Sequence, residues 1–156
     1  MRIKAKIGVI AVLLGLTAPA NATPSDDNFL SLMSTDISNT LQIIEETQPA
    51  GNAMVVTVEG TRNGGFGSDW LLPDLFGGFA APGTLTQIGS HNVMALEVHG
   101  TENMFSLFQS GMNNMVAGYI SGTGNSAAVM QVGNGNVAHF SQIGTGNSLA
   151  ISQSSW

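Results

Sequence analysis

From residue 85 to the end, the sequence keeps one register of eleven. In the frame Gln-x-Gly-x-x-Asn, the first position falls at Gln87, Val98, Gln109, Ile120, Gln131, Gln142 and Gln153. The third falls at Gly89, Gly100, Gly111, Gly122, Gly133 and Gly144, and the sixth at Asn92, Asn103, Asn114, Asn125, Asn136 and Asn147, with no exception in either column. Glycine is 20 of 156 residues, so six in one fixed column arise by chance roughly a few times in a million, and such a period marks a repeat architecture. A period of eleven also suits a right-handed coiled coil. The glycines exclude it, because each would weaken a helix by about 1 kcal/mol relative to alanine, and the apolar residues alternate with period two.

After each Asn, the second, fourth and sixth residues share one side: Met94, Leu96, Val98; Phe105, Leu107, Gln109; Val116, Gly118, Ile120; Ala127, Val129, Gln131; Ala138, Phe140, Gln142; Leu149, Ile151, Gln153. That is the inner face of a strand. Gly-x-x-Asn then supplies a glycine free to take positive φ and an asparagine expected to tolerate the left-handed region, so each unit reads as strand plus turn. One short strand cannot bury its inner face alone. Two consecutive units therefore face each other and close a flattened coil of 22 residues, which stacks on the next. At that spacing Gln87, Gln109, Gln131 and Gln153 form one row, opposite Val98, Ile120 and Gln142. The asparagines form two more rows, Asn92, Asn114, Asn136 and Asn103, Asn125, Asn147. Stacked amides of this kind hydrogen-bond along a stack as in cross-β structure. The expected fold is all-β, a β-solenoid of about four coils with two facing sheets.

The units QIGSHNVMALEV, QSGMNNMVAGYI, QVGNGNVAHFSQ and QIGTGNSLAISQ resemble the curlin repeats of curli subunits, over roughly residues 53–156 less an insertion. The resemblance implies a secreted, extracellular subunit that polymerises with itself into functional amyloid of the biofilm matrix, after Gram-negative-type export. It implies as partners a second curli subunit, an outer-membrane secretion channel and periplasmic chaperones, with the membrane involved only through export. The family's ladder positions carry over to Gln87, Gln109, Gln131, Gln142, Gln153 and the six asparagines. Val58, Val98 and Ile120 stand where the family has Gln, which shortens one ladder. The resemblance does not separate the major fibre subunit from the minor nucleating one; the uncharged C-terminal coils favour the major subunit, while the insertion and the missing glutamines lean away from it.

Residues 1–22 read as a targeting segment: Arg2, Lys4 and Lys6, then the apolar IGVIAVLLGL, then Ala20-Asn21-Ala22, with cleavage expected after Ala22. The apolar run is about half the ~20 residues that a membrane-spanning helix needs. Cleavage removes 22 of 156 residues and three of the four basic ones, leaving Arg62 against ten acids. A chain so acidic is a poor partner for nucleic acid, whose phosphates need clustered Lys and Arg. With no cysteine, it carries no disulfide.

Residues 23–50 hold half of those acids and show no period of eleven. A short amphipathic helix around residues 28–41 is the local expectation, opposed by Ser, Thr, Asp and Asn. By resemblance the segment is read by the secretion channel; its composition alone suggests a disordered acidic leader. The repeat starts within residues 51–156: Met54, Val56 and Val58 point inward, followed by Gly60 and Asn63, and Asn52 lies eleven before Asn63. An insertion at 64–83, carrying Trp70, Leu71, Leu72, Leu75 and Phe76, reads as a loop folded on the solenoid end or as a partner contact. Leu85 and Gln87 then resume the frame.

No Asp, Glu, Lys or Arg occurs from Asn103 to Trp156; Glu59, Arg62, Glu97 and Glu102 sit in the first repeat coils. Edge strands are usually guarded by charge or proline, so the last coil is expected to be an open template for another chain. Phe108, Tyr119 and Met130 are expected to face outward, either as lateral contacts between fibres or as solvent-facing residues of no special role. His91, His99 and His139 do not share a ladder, so no metal site is expected. No cofactor and no enzymatic activity are expected either: nucleophile elbow, phosphate loop and paired carboxylates are all missing. The contrasting reading is a monomeric β-solenoid adhesin or surface-binding module. Ice binding would call for an outer threonine row, and the outer residues Ala95, Ala117 and His139 do not form one.

Overall fold

The computed structural model describes residues 2–5, 28–36, 38–45, 51–65 and 82–156. Among these are eleven strands: β1 (Arg2–Ala5), β2 (Phe29–Ser34), β3 (Leu41–Glu45), β4 (Ala53–Thr61), β5 (Thr84–Ser90), β6 (Val93–Thr101), β7 (Met104–Met112), β8 (Met115–Thr123), β9 (Ser126–Asn134), β10 (Val137–Thr145) and β11 (Ser148–Ser154). They form two sheets. The odd sheet runs β1-β3-β5-β7-β9-β11 and the even sheet β2-β4-β6-β8-β10, so the chain alternates between them at every turn. Every pair is parallel except β1–β3. The fold is a β-solenoid of five coils.

Register follows the glycines and asparagines. Gly89 pairs with Gly111 and Gly111 with Gly133; Gly100 pairs with Gly122 and Gly122 with Gly144. Between the sheets lies a core of Met54, Val56, Val58, Leu85, Met94, Leu96, Val98, Phe105, Leu107, Val116 and Ile120, all at most 2% exposed. One-residue slippage would turn this set to water, so the period-two pattern fixes the pairing. Size is matched across coils. A Cβ on inward Gly118 would come within 2.3 Å of the Phe140 ring, which fills the space that glycine leaves.

The turns correct one expectation. The column glycines do take positive φ, from 99° at Gly133 to 125° at Gly122. The second left-handed residue, however, is not the column asparagine but the residue before it: Arg62, His91, Glu102, Asn113, Gly124, Gly135 and Gly146. The asparagine side chains turn inward instead. The glycine column has a further reason to exist. A Cβ on Gly111 would lie 1.9 Å from the Gly133 carbonyl oxygen, so stacking at β spacing leaves no room for any side chain there.

The number of coils is also corrected, from about four to five. The described residues of 28–41 hold no helix; β2 lies parallel on β4 and β3 on β5, forming a first coil. Leu30, Leu41 and Ile43 are buried on the stack, and the β4 and β5 edges supply backbone partners, so tertiary pairing overrides weak local preference. This coil lacks the turn glycine. Asp36 stands in its place and its carboxylate accepts hydrogen bonds from the Ser38 hydroxyl and backbone N–H, which hold it below the usual carboxylate range.

The insertion leaves the coil closed. Val58 pairs with Val98, 40 positions on, 18 more than the 22 of the later coils. Its two ends meet: a Cβ on Gly83 would lie 2.9 Å from the Gly64 carbonyl oxygen, and their N–H groups donate to Phe105 and Asn103. The apolar residues Trp70 to Phe76, the targeting run and the cleavage site after Ala22 lie outside the described residues. Replacing Gly111 by alanine is expected to destabilise the solenoid by more than the ~1–2 kcal/mol of a left-handed non-glycine residue, because the methyl also strikes backbone; urea unfolding of the soluble monomer measures it.

Candidate functional site

Three rows of amides, and a fourth column that carries only one, run along the solenoid axis through its interior. In the odd sheet, Gln87 Nε2 donates to Gln109 Oε1 at 2.9 Å, Gln109 to Gln131 at 2.9 Å and Gln131 to Gln153 at 2.8 Å. The second proton of each Nε2 goes sideways to a backbone carbonyl across the coil: Ala53, Val93, Met115 and Val137 in turn. A primary amide placed once per coil thus ties successive coils together and also ties sheet to sheet.

The two asparagine rows use the amide differently. Asn92 Oδ1 accepts from both the backbone N–H and Nδ2 of Asn114, and Asn114 Oδ1 accepts likewise from Asn136. In the other row Asn63 serves Asn103, Asn103 serves Asn125, and Asn125 serves Asn147. Up to the fourth coil, Nδ2 also reaches the column glycine of the following coil, as Asn92 does to Gly111, Asn103 to Gly122, Asn114 to Gly133 and Asn125 to Gly144. Asparagine and glycine are therefore one device: the bare glycine lets the turn approach, and its carbonyl receives the amide. Asn52, Asn63, Asn92, Asn103, Asn114 and Asn125 are at most 1% exposed, so each amide must find these partners inside the protein.

Sequence reasoning missed the start of these rows. Asn63 N–H donates to Asn39 Oδ1, Asn52 N–H to Asn28 Oδ1, and Asn39 Nδ2 to the Gly60 carbonyl. The signal was there: Asn28 and Asn39 are eleven apart, each followed by apolar residues at the second and fourth positions. Asp36 in the glycine column concealed it, as did the 13-residue step from Asn39 to Asn52.

The fourth row is incomplete. Gln142 is stacked on Ile120, Val98 and Val58, and its Nε2 donates to the Ser126 carbonyl while its Oε1 is buried without a partner. Gln87 Oε1, at the start of the glutamine row, is likewise unpartnered. Oε1 in these rows points toward the preceding coil, where no amide stands in either case.

The charges collect on the outside of the early coils. His99 lies between Glu97, 2.6 Å from Nε2, and Glu59, 3.0 Å from Nδ1, with the Tyr119 ring 5.8 Å away; Arg62 pairs with Glu102 at 2.8 Å. Hydrogen bonding to Glu97 raises the imidazole above its ordinary value; desolvation partly offsets this, and Glu59 adds to the rise. His91 sits in a turn at φ 56° and His139 is exposed on the outer face. Among the described residues, no group of three or more His, Asp or Glu is arranged to hold a metal ion.

Residues 122–154 match the family model of the curlin associated repeat. That stretch contains Gly122, Asn125, Gln131, Gly133, Asn136, Gln142, Gly144, Asn147 and Gln153, and the earlier coils pair with it in the same register. No curated protein and no solved structure gives a match.

Two outcomes test this geometry. Replacing Gln109 by leucine leaves Gln131 Oε1 buried and unpaired and is expected to destabilise by about 1–3 kcal/mol, whereas Gln142 to leucine removes an orphaned oxygen and should stay within about 1 kcal/mol of wild type; chemical unfolding compares them. His99 has a raised folded-state pKa, so its contribution is full below the unfolded value of 6.5 and is lost as pH rises through the folded value. The thermal midpoint should fall more between about pH 5.5 and about pH 8.5, which bracket the ordinary imidazole value, in wild type than in His99→Gln.

Proposed function

We propose that this chain is a secreted structural subunit that assembles end to end into an extracellular, curli-like fibre serving adhesion and aggregation in a biofilm matrix, without catalysis. The observation that carries the reading is how the rows end. Each interior coil has its ladder atoms completed by the next one, while the last coil, β10 and β11, presents the same atoms with nothing stacked on them. Asn114 and Asn125 use Oδ1 to hold Asn136 and Asn147; Asn136 and Asn147 offer the same oxygens at the free edge, beside Gln153, whose Nε2 makes only the sideways bond to Val137.

The first coil fits that edge. In the sheet order β2 would follow β10, with Asn28 on Asn136, and β3 would follow β11, with Asn39 on Asn147. Export explains the timing. Cleavage after Ala22 removes β1, which otherwise pairs antiparallel with β3, and frees that edge for a neighbour. The incoming chain condenses its apolar and glutamine-bearing faces on the exposed edge, and its own last coil becomes the next template. Partners of this route are further copies of the chain, a second subunit of the same type, and the channel and chaperones of export, with residues 23–50 as the segment the channel reads. The match to the curlin repeat and the uncharged coils from Asn103 onward support this reading.

The experiment is seeded assembly of residues 23–156, followed by thioflavin fluorescence and fibre diffraction. A lag removed by seeds, with reflections near ~4.7 and ~10 Å, is expected; a monomer indifferent to seeds would favour the surface-binding alternative. Gly144→Ala makes the test local. A Cβ there meets nothing closer than Asn147 Nδ2 at 3.6 Å, whereas one at Gly122 meets the Gly144 carbonyl oxygen at 1.9 Å. The variant monomer should keep most of its stability yet elongate at least about tenfold more slowly, a factor worth ~1.4 kcal/mol at the fibre end.

A further inference from the structure

The outer face of the even sheet carries two unlike columns side by side. One is apolar along the whole stack: Phe29, Ala53, Val93, Met115 and Val137 pair in register across β2, β4, β6, β8 and β10 where the strands are matched. Four of them are large and open to solvent, Phe29 at 53%, Val93 at 39%, Met115 at 37% and Val137 at 52%. Two residues along each strand runs the second column, Val55, Ala95, Ala117 and His139, whose alanines leave a groove of about 560 Å³ walled by Glu97 and Tyr119. A ridge thus stands beside a trough, both parallel to the solenoid axis. In the odd sheet, by contrast, outward Thr84, Thr86, Ser106 and Ala128 are buried.

We infer that this face is a lateral interface with a second copy of the chain, on the reading that the chain forms fibres. A two-fold axis parallel to the fibre, set between the two columns, lays the ridge of each copy in the trough of the other, and one operation satisfies both. Side chains then interdigitate as in the dry interface between paired sheets of cross-β assemblies. Glu97 and Tyr119 fall at the rim, where water reaches the carboxylate.

Area selects when pairing occurs. Five strands at about 4.8 Å make a strip ~24 Å tall, and ridge, trough and margin are ~20 Å wide, which gives about 500 Å² per copy. The resulting ~1,000 Å² for two copies falls below the ~1,200–2,000 Å² of stable complexes. Single subunits therefore do not dimerise through this face. End-to-end stacking continues ridge and trough from one subunit to the next, so the paired strip grows with fibre length and binding becomes multivalent. Elongation comes first and pairing follows.

The test measures mass per length of fibres grown from the mature chain by electron microscopy, alongside seeded elongation rates. Two variants change the face and keep good strand formers: Val93→Thr/Met115→Thr/Val137→Thr lowers the ridge, and Ala95→Tyr/Ala117→Tyr fills the trough. Wild-type fibres should carry the mass of two filaments, and each variant half of that, with elongation rates within twofold of wild type. Wild-type fibres of single-filament mass, or variants that keep the doubled mass, would overturn the pairing while leaving stacking intact. A chain that forms no fibre at all would overturn the stacking reading and the pairing with it.

Discussion

The distance between stacked turns governs this structure. Parallel β pairing brings each turn onto the next so closely that a single methyl on Gly100 would lie 1.9 Å from the Gly122 carbonyl oxygen. From Gly60 onward glycine therefore fills this column in every coil, and its exposed carbonyl becomes a fixed acceptor. The asparagine three residues further on answers that acceptor from the adjacent coil. Removing either residue type would leave the other without its purpose.

The amide rows give the solenoid a direction. Asparagine Nδ2 donates back toward the first coil, as Asn114 does to Asn92, while glutamine Nε2 donates forward, as Gln109 does to Gln131. The two ends are consequently different chemically: the last coil presents asparagine oxygens with a glutamine N–H, and the first coil begins the asparagine rows with Asn28 and Asn39. Cooperative polarisation along such rows strengthens each bond beyond an isolated amide pair. Where the row is broken, by Val58, Val98 and Ile120, apolar packing replaces it, and Gln142 is left with an unanswered oxygen.

The first coil shows how much departure the architecture tolerates. It lacks the column glycine, and two extra residues separate Asn39 from Asn52, yet an Asp36–Ser38 turn reproduces the reversal and both asparagines join their rows. The charged cluster of Glu59, Glu97, His99, Arg62 and Glu102 sits on coils two and three, away from the free edge of coil five. Charge thus lies on the side of the early coils and leaves the last two coils without any.

Most of this was legible because a strict period converts one-dimensional spacing into three-dimensional position: once Gln87, Gln109 and Gln131 are 22 apart in a stacked coil, their contact follows from geometry alone. The inner residues, the glutamine row, the shortened row and the placement of Val58 beside Val98 across the insertion were all of this kind. The sequence by itself did not decide residues 28–45, because their local preferences were mixed and only the edges of β4 and β5 made strands of them. Nor did it decide which turn residue is left-handed. Asn and Gly both suit that conformation, and only the stack, by drawing the column asparagines inward to the carbonyls above and below, assigned it to Arg62, His91, Glu102 and Asn113 instead.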